Sequence, residues 1–515
     1  MQGRKHYTEK LFNNFQLSER VPKDNFYRML KEKLPLQFLY HLTGKYYGDE
    51  GQKSIDPVVF FKLILVGYLE NLNSDRRIIE HAKMRLDILY FIGYDIDEEL
   101  PWHSTLSRTR QLLGEEIFLE LFRKVLKLCI DKGMVNGKRQ AIDSAYIKAN
   151  ASLSSLVEKD VMDDAQTYRD ELENNDDSRE KKTISYLRKK KVEQHHAWKA
   201  EKYKGQHKMS KELMESTEES RPKFLSNHTH YSTTDPDARI SVKPGKPRQM
   251  NYSAQTVVDT AHHVITCIQG DFSDKRDSQS LAQVITQTKK NLEDQGLQME
   301  EVLADSGYSS GNALAYLEEQ HLTGYIPNFG KYKPEREGFI YNQEKDQYEC
   351  ERGNKAILSY KSTTTDSLGF EKKSYRSSSK VCKGCPLRKS CIGERADYKK
   401  IDDSVHKPHY DKMHQRLQTR YAQRMMRLRS STVEPVLGTL INFTGMRRIY
   451  TRGIKGANKF MLCAGIAYNL KKYMKFIRYK STTRVIALKG ELCALSKSLF
   501  FGRFSALIMK AKFGS

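Results

Sequence analysis

Three carboxylates stand where their neighbours argue against them. Asp143 sits in RQAIDSAYIKANAS, among apolar and aromatic residues that read as a strand, although aspartate is a poor strand former. Asp305 follows an apolar run in VLADSGY, and Glu434, in Val-Glu-Pro-Val, is the one acid between residues 412 and 490. An aspartate after a strand ordinarily caps a turn, and a glutamate among bases is ordinarily a surface ion-pair partner. Brought together from separate elements, three carboxylates can instead hold two divalent cations about 3.5–4 Å apart. Mg²⁺ suits such a site, because it takes hard oxygen ligands and keeps positions for water and phosphate. The chemistry is an in-line displacement in which one ion activates water or a 3′-hydroxyl and the other stabilises the leaving oxygen.

The elements that must position these groups follow from periodicity. Residues 1–135 read as helical: IDPVVFFKLILVGYLENL places apolar residues at three- and four-residue steps, and NSDRRIIEHAKMRLDILYFIG follows a start signal. After Pro101, Ser104 or Thr105 is the expected N-cap of a helix carrying Arg108 and Arg110. That helix could enter a DNA groove, or lie on the surface of a bundle. NYSAQTVVDTAHHVITCIQGD alternates as a hairpin turning at DTAHH; SQSLAQVITQTKKNLEDQG is an amphipathic helix ended by Gly296. EEVLADSGY is a short strand, GNALAYLEEQH a helix and TGYIPNF another strand, so residues 139–328 predict a mixed α/β sheet domain. DKMHQRLQTRYAQRMMRLRSSTVEPVLGTLINF is a long helical segment with a break or kink expected at Pro435. Other acids read as ordinary: Asp259 in the hairpin turn, Asp235 and Asp237 in the turn TTDPDAR, and Asp271, Asp274 and Asp277 in a loop and helix cap.

The chain has 515 residues, a formal charge of +24 and a pI near 9.4. That favours a polyanionic partner, nucleic acid before membrane. The excess is concentrated: residues 411–515 hold 22 Lys and Arg against three acids, whereas residues 158–180 hold ten acids against three bases. PVVFFKLILVGYL is too short to span a bilayer and carries Lys62. MQGRKHYTEK opens no apolar run, so no secretory signal is expected and a cytoplasmic, nucleoid-associated location is.

Eight cysteines in such a chain are not expected to pair as disulfides. Cys129, Cys267, Cys463 and Cys493 lie in apolar surroundings and read as buried spectators. Cys350, with Cys382-x₂-Cys385 and Cys391, could close a tetrahedral structural Zn²⁺ site; free buried thiols are the alternative.

Taken in order over roughly residues 50–475, QAIDSAYIKANAS, TTDPDARIS…NYSAQTVVD, VLADSGYSS and YAQRMMRLRSSTVEPVLGTL…GMRRIYTRG…AYNLKK resemble bacterial insertion-sequence transposases of the DDE type. The resemblance implies a ribonuclease H-like core with Asp143, Asp305 and Glu434 as the triad holding two Mg²⁺, for which Mn²⁺ can substitute. It implies cut-and-paste transposition of the element's own ends, and a homodimer bridging the terminal inverted repeats with target DNA. Tyr421 and Arg424 match the family's Tyr-x-x-Arg, which makes Arg424 a candidate phosphate contact, although its spacing to Glu434 is longer than in the group that defined the signature. The family's lysine seven residues after the glutamate is Ile441 here, leaving Arg447, Arg448, Arg452 and Lys455 as the DNA-contact candidates. Four-cysteine insertions are common in the family and favour the zinc reading.

The expected architecture is therefore mixed α+β. A helical domain for DNA binding and assembly (1–135) precedes a ribonuclease H-like α/β core, whose first part (136–329) carries a charged insertion at about 153–230. A cysteine-rich zinc insertion (330–400), the rest of the core with Glu434 (401–480) and a basic tail (481–515) follow. Two other functions share these residues: a ribonuclease H-like nuclease that does not join strands, and an inactive zinc-bearing DNA-binding protein.

Overall fold

The computed structural model describes residues 16–48, 54–158, 227, 230–241, 247–328, 334–365, 371–392 and 396–479. Most of the acidic run, the basic run after it and the 481–515 tail lie outside the described residues. The chain divides into two units: Met1–Lys132 with Phe443–Gly445 and Cys463–Ser515, and Gly133–Asn442 with Met446–Leu462.

In the first unit the helix Pro57–Leu69 is apolar on every side, which places it in the interior. Phe60, Phe61, Leu63, Ile64 and Leu65 are all fully buried, each contributing roughly 1.5–3 kcal/mol. Asp56 starts it: its Oδ1 accepts from the backbone N–H groups of Val58 (2.7 Å) and Val59 (3.1 Å). Pro57 occupies the first turn, where its missing N–H costs nothing. The helix His103–Leu112 begins two or three residues earlier than expected. Trp102 is its N-cap, without a side-chain cap bond, so Ser104 and Thr105 fall inside the first turn and cap nothing. Trp102 is extended (φ −62°, ψ 145°), and helical backbone begins at His103. Among the described residues no helix is long and apolar enough to cross a membrane.

The second unit carries the strands. These are β1 (Arg139–Lys148), β2 (Leu156–Glu158), β3 (His230–Ser232), β4 (Arg239–Ser241), β5 (Gln249–Asp259), β6 (Ile265–Phe272), β7 (Glu301–Leu303) and β8 (Thr323–Tyr325). One six-stranded sheet runs β4-β5-β1-β7-β8, with β6 also paired to β5. The pairings β6–β5, β4–β5 and β5–β1 are antiparallel; β1–β7 and β7–β8 are parallel. The β5–β6 hairpin is the one legible in the sequence. The helix Asp277–Glu293 packs against β6 and β5, with Leu281, Val284, Ile285 and Leu292 fully buried.

A second sheet was not foreseen. β9 (Phe339–Asn342), β10 (Gln347–Cys350), β11 (Ile357–Thr365), β12 (Glu371–Ser377) and β13 (Lys400–Ser404) form an antiparallel sheet in the order β13-β12-β11-β10-β9. Its core is small: Tyr348, Leu358, Tyr375 and Ile401, with Phe339 and Tyr341 against them.

The helix Arg420–Phe443 runs unbroken through Pro435, so the expected break does not occur. Proline in a helix interior costs about 3 kcal/mol. Burial of Val433, Val436, Leu437 and Leu440 around it outweighs that at roughly 1.5–3 kcal/mol per side chain.

Candidate active site

Asp143 does not end its strand; it is the fifth of the ten residues of β1, paired across the ladder with Thr256 of β5. On the other side β1 runs parallel to β7, with Ala141 opposite Leu303 as the last rung. Asp143 and Asp305 each lie two residues beyond that rung. The parallel register therefore delivers both carboxylates to the same end of neighbouring strands. Asp305 caps the short helical turn Ser306–Tyr308, its Oδ1 accepting from Gly307 N–H at 3.0 Å.

Glu434 is connected to this pair through Arg429, one of the two residues missed by sequence reading. Arg429 Nη1 donates to Asp143 Oδ2 at 3.0 Å and Nη2 donates to Glu434 Oε1 at 3.1 Å. The other Asp143 oxygen accepts the Ser144 N–H at 2.8 Å. Burial pushes the Asp143 carboxyl above its ordinary value and the charge of Asp305 adds to that; the Ser144 N–H and Arg429 oppose both. Glu434 is half exposed, whereas Arg429 is buried.

Asp277 is the second missed residue. A Cβ added at Gly307 would lie 3.1 Å from Asp305 Oδ1 and 3.2 Å from Asp277 Oδ2, so only a glycine fits between these acids without displacement. Gln255 Nε2 donates to Asp277 at 3.1 Å, and the buried Tyr308 hydroxyl donates to Gln255. No spacing rule separates Arg429 from Arg424 and Arg427 on the same helix, and Asp277 at a helix start is an ordinary sight. Neither carried a local signal.

The remaining candidates are spread more widely. The Tyr421 hydroxyl donates to Glu301 Oε1 (2.9 Å) and accepts from Arg139 Nη2 (2.8 Å), while Arg424 is exposed. Arg447 donates to Asn442 (3.1 Å) and Arg448 to Asn150 (3.1 Å); Arg452 and Lys455 are exposed. In the other unit Arg108 is exposed, but the fork of Arg110 is spent on Asp75 at 3.0 and 2.6 Å. Among the other acids, Asp235 and Asp237 are buried and accept the backbone N–H groups of Gly453 (3.1 Å) and Ile454 (3.0 Å), fastening a helix start.

Cys350, Cys382, Cys385 and Cys391 are free thiols; Cys350 ends β10, Cys382 lies in the short helix Ser379–Lys383 and Cys391 ends the helical turn Arg388–Cys391. Asn354, four residues past Cys350, donates to Val381 O at 3.0 Å. Gly353 (φ +63°) faces Cys385 so closely that an added Cβ would lie 2.5 Å from its sulfur. The Cys350 thiol donates to Arg352 O at 2.6 Å, and Cys382 lies 3.0 Å from Ser377 Oγ. Among the described residues, no three His, Cys, Asp or Glu side chains stand close enough together to hold a metal ion as they are placed.

The donor chemistry nonetheless matches two kinds of ion. Carboxylate oxygens are the hard donors that Mg²⁺ takes, and one guanidinium among three carboxylates leaves net negative charge there. Thiols are the soft donors that zinc takes, and this segment supplies four of them.

Two family models match. The transposase domain (DUF772) matches residues 15–112, and the transposase DDE domain matches residues 349–474. No curated protein matches the chain. The second match contains Glu434 and the Tyr421–Arg424 segment; the first covers most of the helical segment that precedes β1. A transposase domain matched on the N-terminal side and a transposase DDE domain matched on the C-terminal side together support an insertion-sequence DDE transposase.

Proposed function

We propose that this transposase cuts DNA at the terminal inverted repeats of its own element and joins the freed ends to target DNA by in-line phosphoryl transfer. Asp143, Asp305 and Glu434 form its catalytic centre. The observation that carries this reading is the parallel register of β1 and β7, which places Asp143 and Asp305 side by side, with Glu434 tied to Asp143 through Arg429. The strand arrangement supports a ribonuclease H-like core: three antiparallel strands, β6-β5-β1, extended by two parallel ones, β7 and β8.

Asp143, Asp305 and Glu434 would hold two Mg²⁺ or Mn²⁺, which supply activation of the attacking oxygen and stabilisation of the leaving one. The chain's own part is positional. β1 fixes Asp143 with one N–H, the turn after β7 fixes Asp305 with another, and the long helix presents Glu434 from a third direction. Exposed Arg424, Arg447, Arg452 and Lys455 meet phosphates, a role that fixes register on DNA without reading sequence. Cys350, Cys382, Cys385 and Cys391 would hold a structural Zn²⁺ that fastens the second sheet. The helical N-terminal segment serves end recognition, and the protein acts as a homodimer across two ends.

The test is a labelled DNA carrying the element's terminal repeats, incubated with Mg²⁺ and an unlabelled target. Wild type is expected to give end cleavage and a joined product, with both lost and binding kept in Asp305→Asn. Cleavage without any joined product would favour a ribonuclease H-like nuclease. Binding without cleavage by wild type, in Mg²⁺ or Mn²⁺, would leave a DNA-binding protein only.

A further inference from the structure

We propose that Arg429 is a resident counter-cation that pairs Asp143 with Glu434 in the metal-free protein and must leave before a divalent cation can take those oxygens. The inference rests on the triad assignment above. Both oxygens of Asp143 are committed, Oδ1 to the Ser144 N–H at 2.8 Å and Oδ2 to Arg429 at 3.0 Å. The first donor belongs to the backbone of β1 and cannot move away. The second is the tip of a long side chain, so the positive charge that it places at Oδ2 can be exchanged for that of a metal ion when the guanidinium swings out.

The guanidinium is held by charge rather than by complete hydrogen bonding. Nη1 serves Asp143, and Nη2 serves Glu434 at 3.1 Å and Ser430 Oγ at 3.3 Å, but Nε is buried without a hydrogen-bond partner. An N–H left unsatisfied in the interior is a cost that the paired carboxylates must offset. The arrangement is therefore stable only while both acids need a counter-charge, which a divalent ion supplies in concentrated form. Glu434 is the open end: its side chain is 56% exposed against 17% for Asp143 and 11% for Arg429, so exchange proceeds from that side.

This arrangement couples two quantities that a purely structural arginine would not couple. The latch stabilises the metal-free protein and weakens metal binding by the same interaction, because a ligand shifts an equilibrium only by its differential affinity for the two states. Substituting Arg429 moves both, in opposite directions.

The experiment is calorimetric titration of DNA-free, full-length protein with Mn²⁺, together with its unfolding temperature in chelator. The proteins are wild type, Arg429→Gln, Arg429→Lys, Asp305→Asn and Arg427→Gln, the last removing the same charge from an exposed site on the same helix. Arg429→Gln is expected to unfold at lower temperature in chelator and to bind Mn²⁺ roughly tenfold tighter or more, as loss of a competing ion pair implies. Arg429→Lys keeps the charge but not the two-pronged fork, and is expected between the two; if the glutamine variant does not fold, it carries the test. Arg427→Gln is expected to match wild type. Mn²⁺ binding that is equal or weaker in both Arg429 variants, while remaining dependent on Asp305, overturns the latch and leaves the triad standing. Binding that is absent from wild type and from both Arg429 variants, or unaffected by Asp305→Asn, overturns the triad and the latch with it.

Discussion

Asp143 and Asp259 lie three rungs apart on the same pair of strands, one opposite Thr256 and the other opposite Gln140. Asp259 accepts from Gly137 N–H (2.8 Å), Asn136 N–H (3.3 Å), Ala261 N–H (2.9 Å) and Gln140 Nε2 (2.9 Å). Asp143 has one backbone donor and one arginine. The first carboxylate is surrounded by groups that cannot leave, and its work is to lock the entry of β1 to the β5–β6 turn. The second is held by one fixed donor and one that can be exchanged. On the proposed reading, immobility of the donors, more than burial, separates an acid that builds the sheet from an acid that the sheet presents to a reactant.

Substitutions sharpen that contrast. Asp143→Asn is expected to lower DNA cleavage by on the order of 10³-fold or more, the scale seen when one member of a catalytic unit is lost, while DNA binding in a gel-shift assay persists. Asp259→Ala should do the reverse, lowering stability in chemical denaturation by about 3 kcal/mol through loss of hydrogen bonds to a charged group, with cleavage per folded molecule retained. If Asp259→Ala abolished cleavage at full stability, the contrast would fail.

Tyr421→Phe removes a hydroxyl bonded to both Glu301 and Arg139 and is expected to cost about 1 kcal/mol of stability. A large loss of DNA affinity without that cost would instead place Tyr421 on the nucleic acid.

Asp235 is the intermediate case. One oxygen accepts from Tyr252 Oη (2.7 Å) and Gly453 N–H (3.1 Å), whereas the other is buried without a hydrogen-bond partner. Burial raises its carboxyl above the ordinary value of 3.8. A folded-state value raised above the unfolded one means that the ionised form costs stability at neutral pH. That cost fades as pH falls through the folded value toward 3.8. Asp235→Asn keeps an oxygen for both donors and removes the charge. It is expected to be neutral or stabilising by up to about 1 kcal/mol at pH 7, with a flatter stability profile between neutral pH and that range. Stability lost at pH 7 and not regained on acidification would show that the charge itself is needed.

What could be read from the sequence divides along the same line. Asp143 and Asp305, the proposed pair, stand out in the sequence because an acid inside or just after an apolar strand conflicts locally with its surroundings. The β5–β6 hairpin and the helix Asp277–Glu293 were legible for the matching reason, that period and turn residues agreed. Arg429 and Asp277 were not, since each gains its meaning from chain far away: Arg429 from Asp143, Asp277 from the turn at Gly307. The β9–β13 sheet was hidden by its composition, because KSTTT is largely exposed and EKKSYRS buries Ser374, Tyr375 and Ser377 without a period of two. The helix does not break at Pro435, because packing around it offsets a propensity cost that local sequence shows alone. The site was thus half written in local pattern and half in tertiary register.

The most direct test of the central claim is Mg²⁺-dependent cleavage of DNA bearing the element's terminal repeats, run side by side on wild type, Asp143→Asn and Asp259→Asn at equal concentrations of folded protein. Cleavage by wild type and Asp259→Asn, with none by Asp143→Asn although it still binds the DNA, is the result expected. Cleavage undiminished in Asp143→Asn would contradict the assignment of this carboxylate to the reaction.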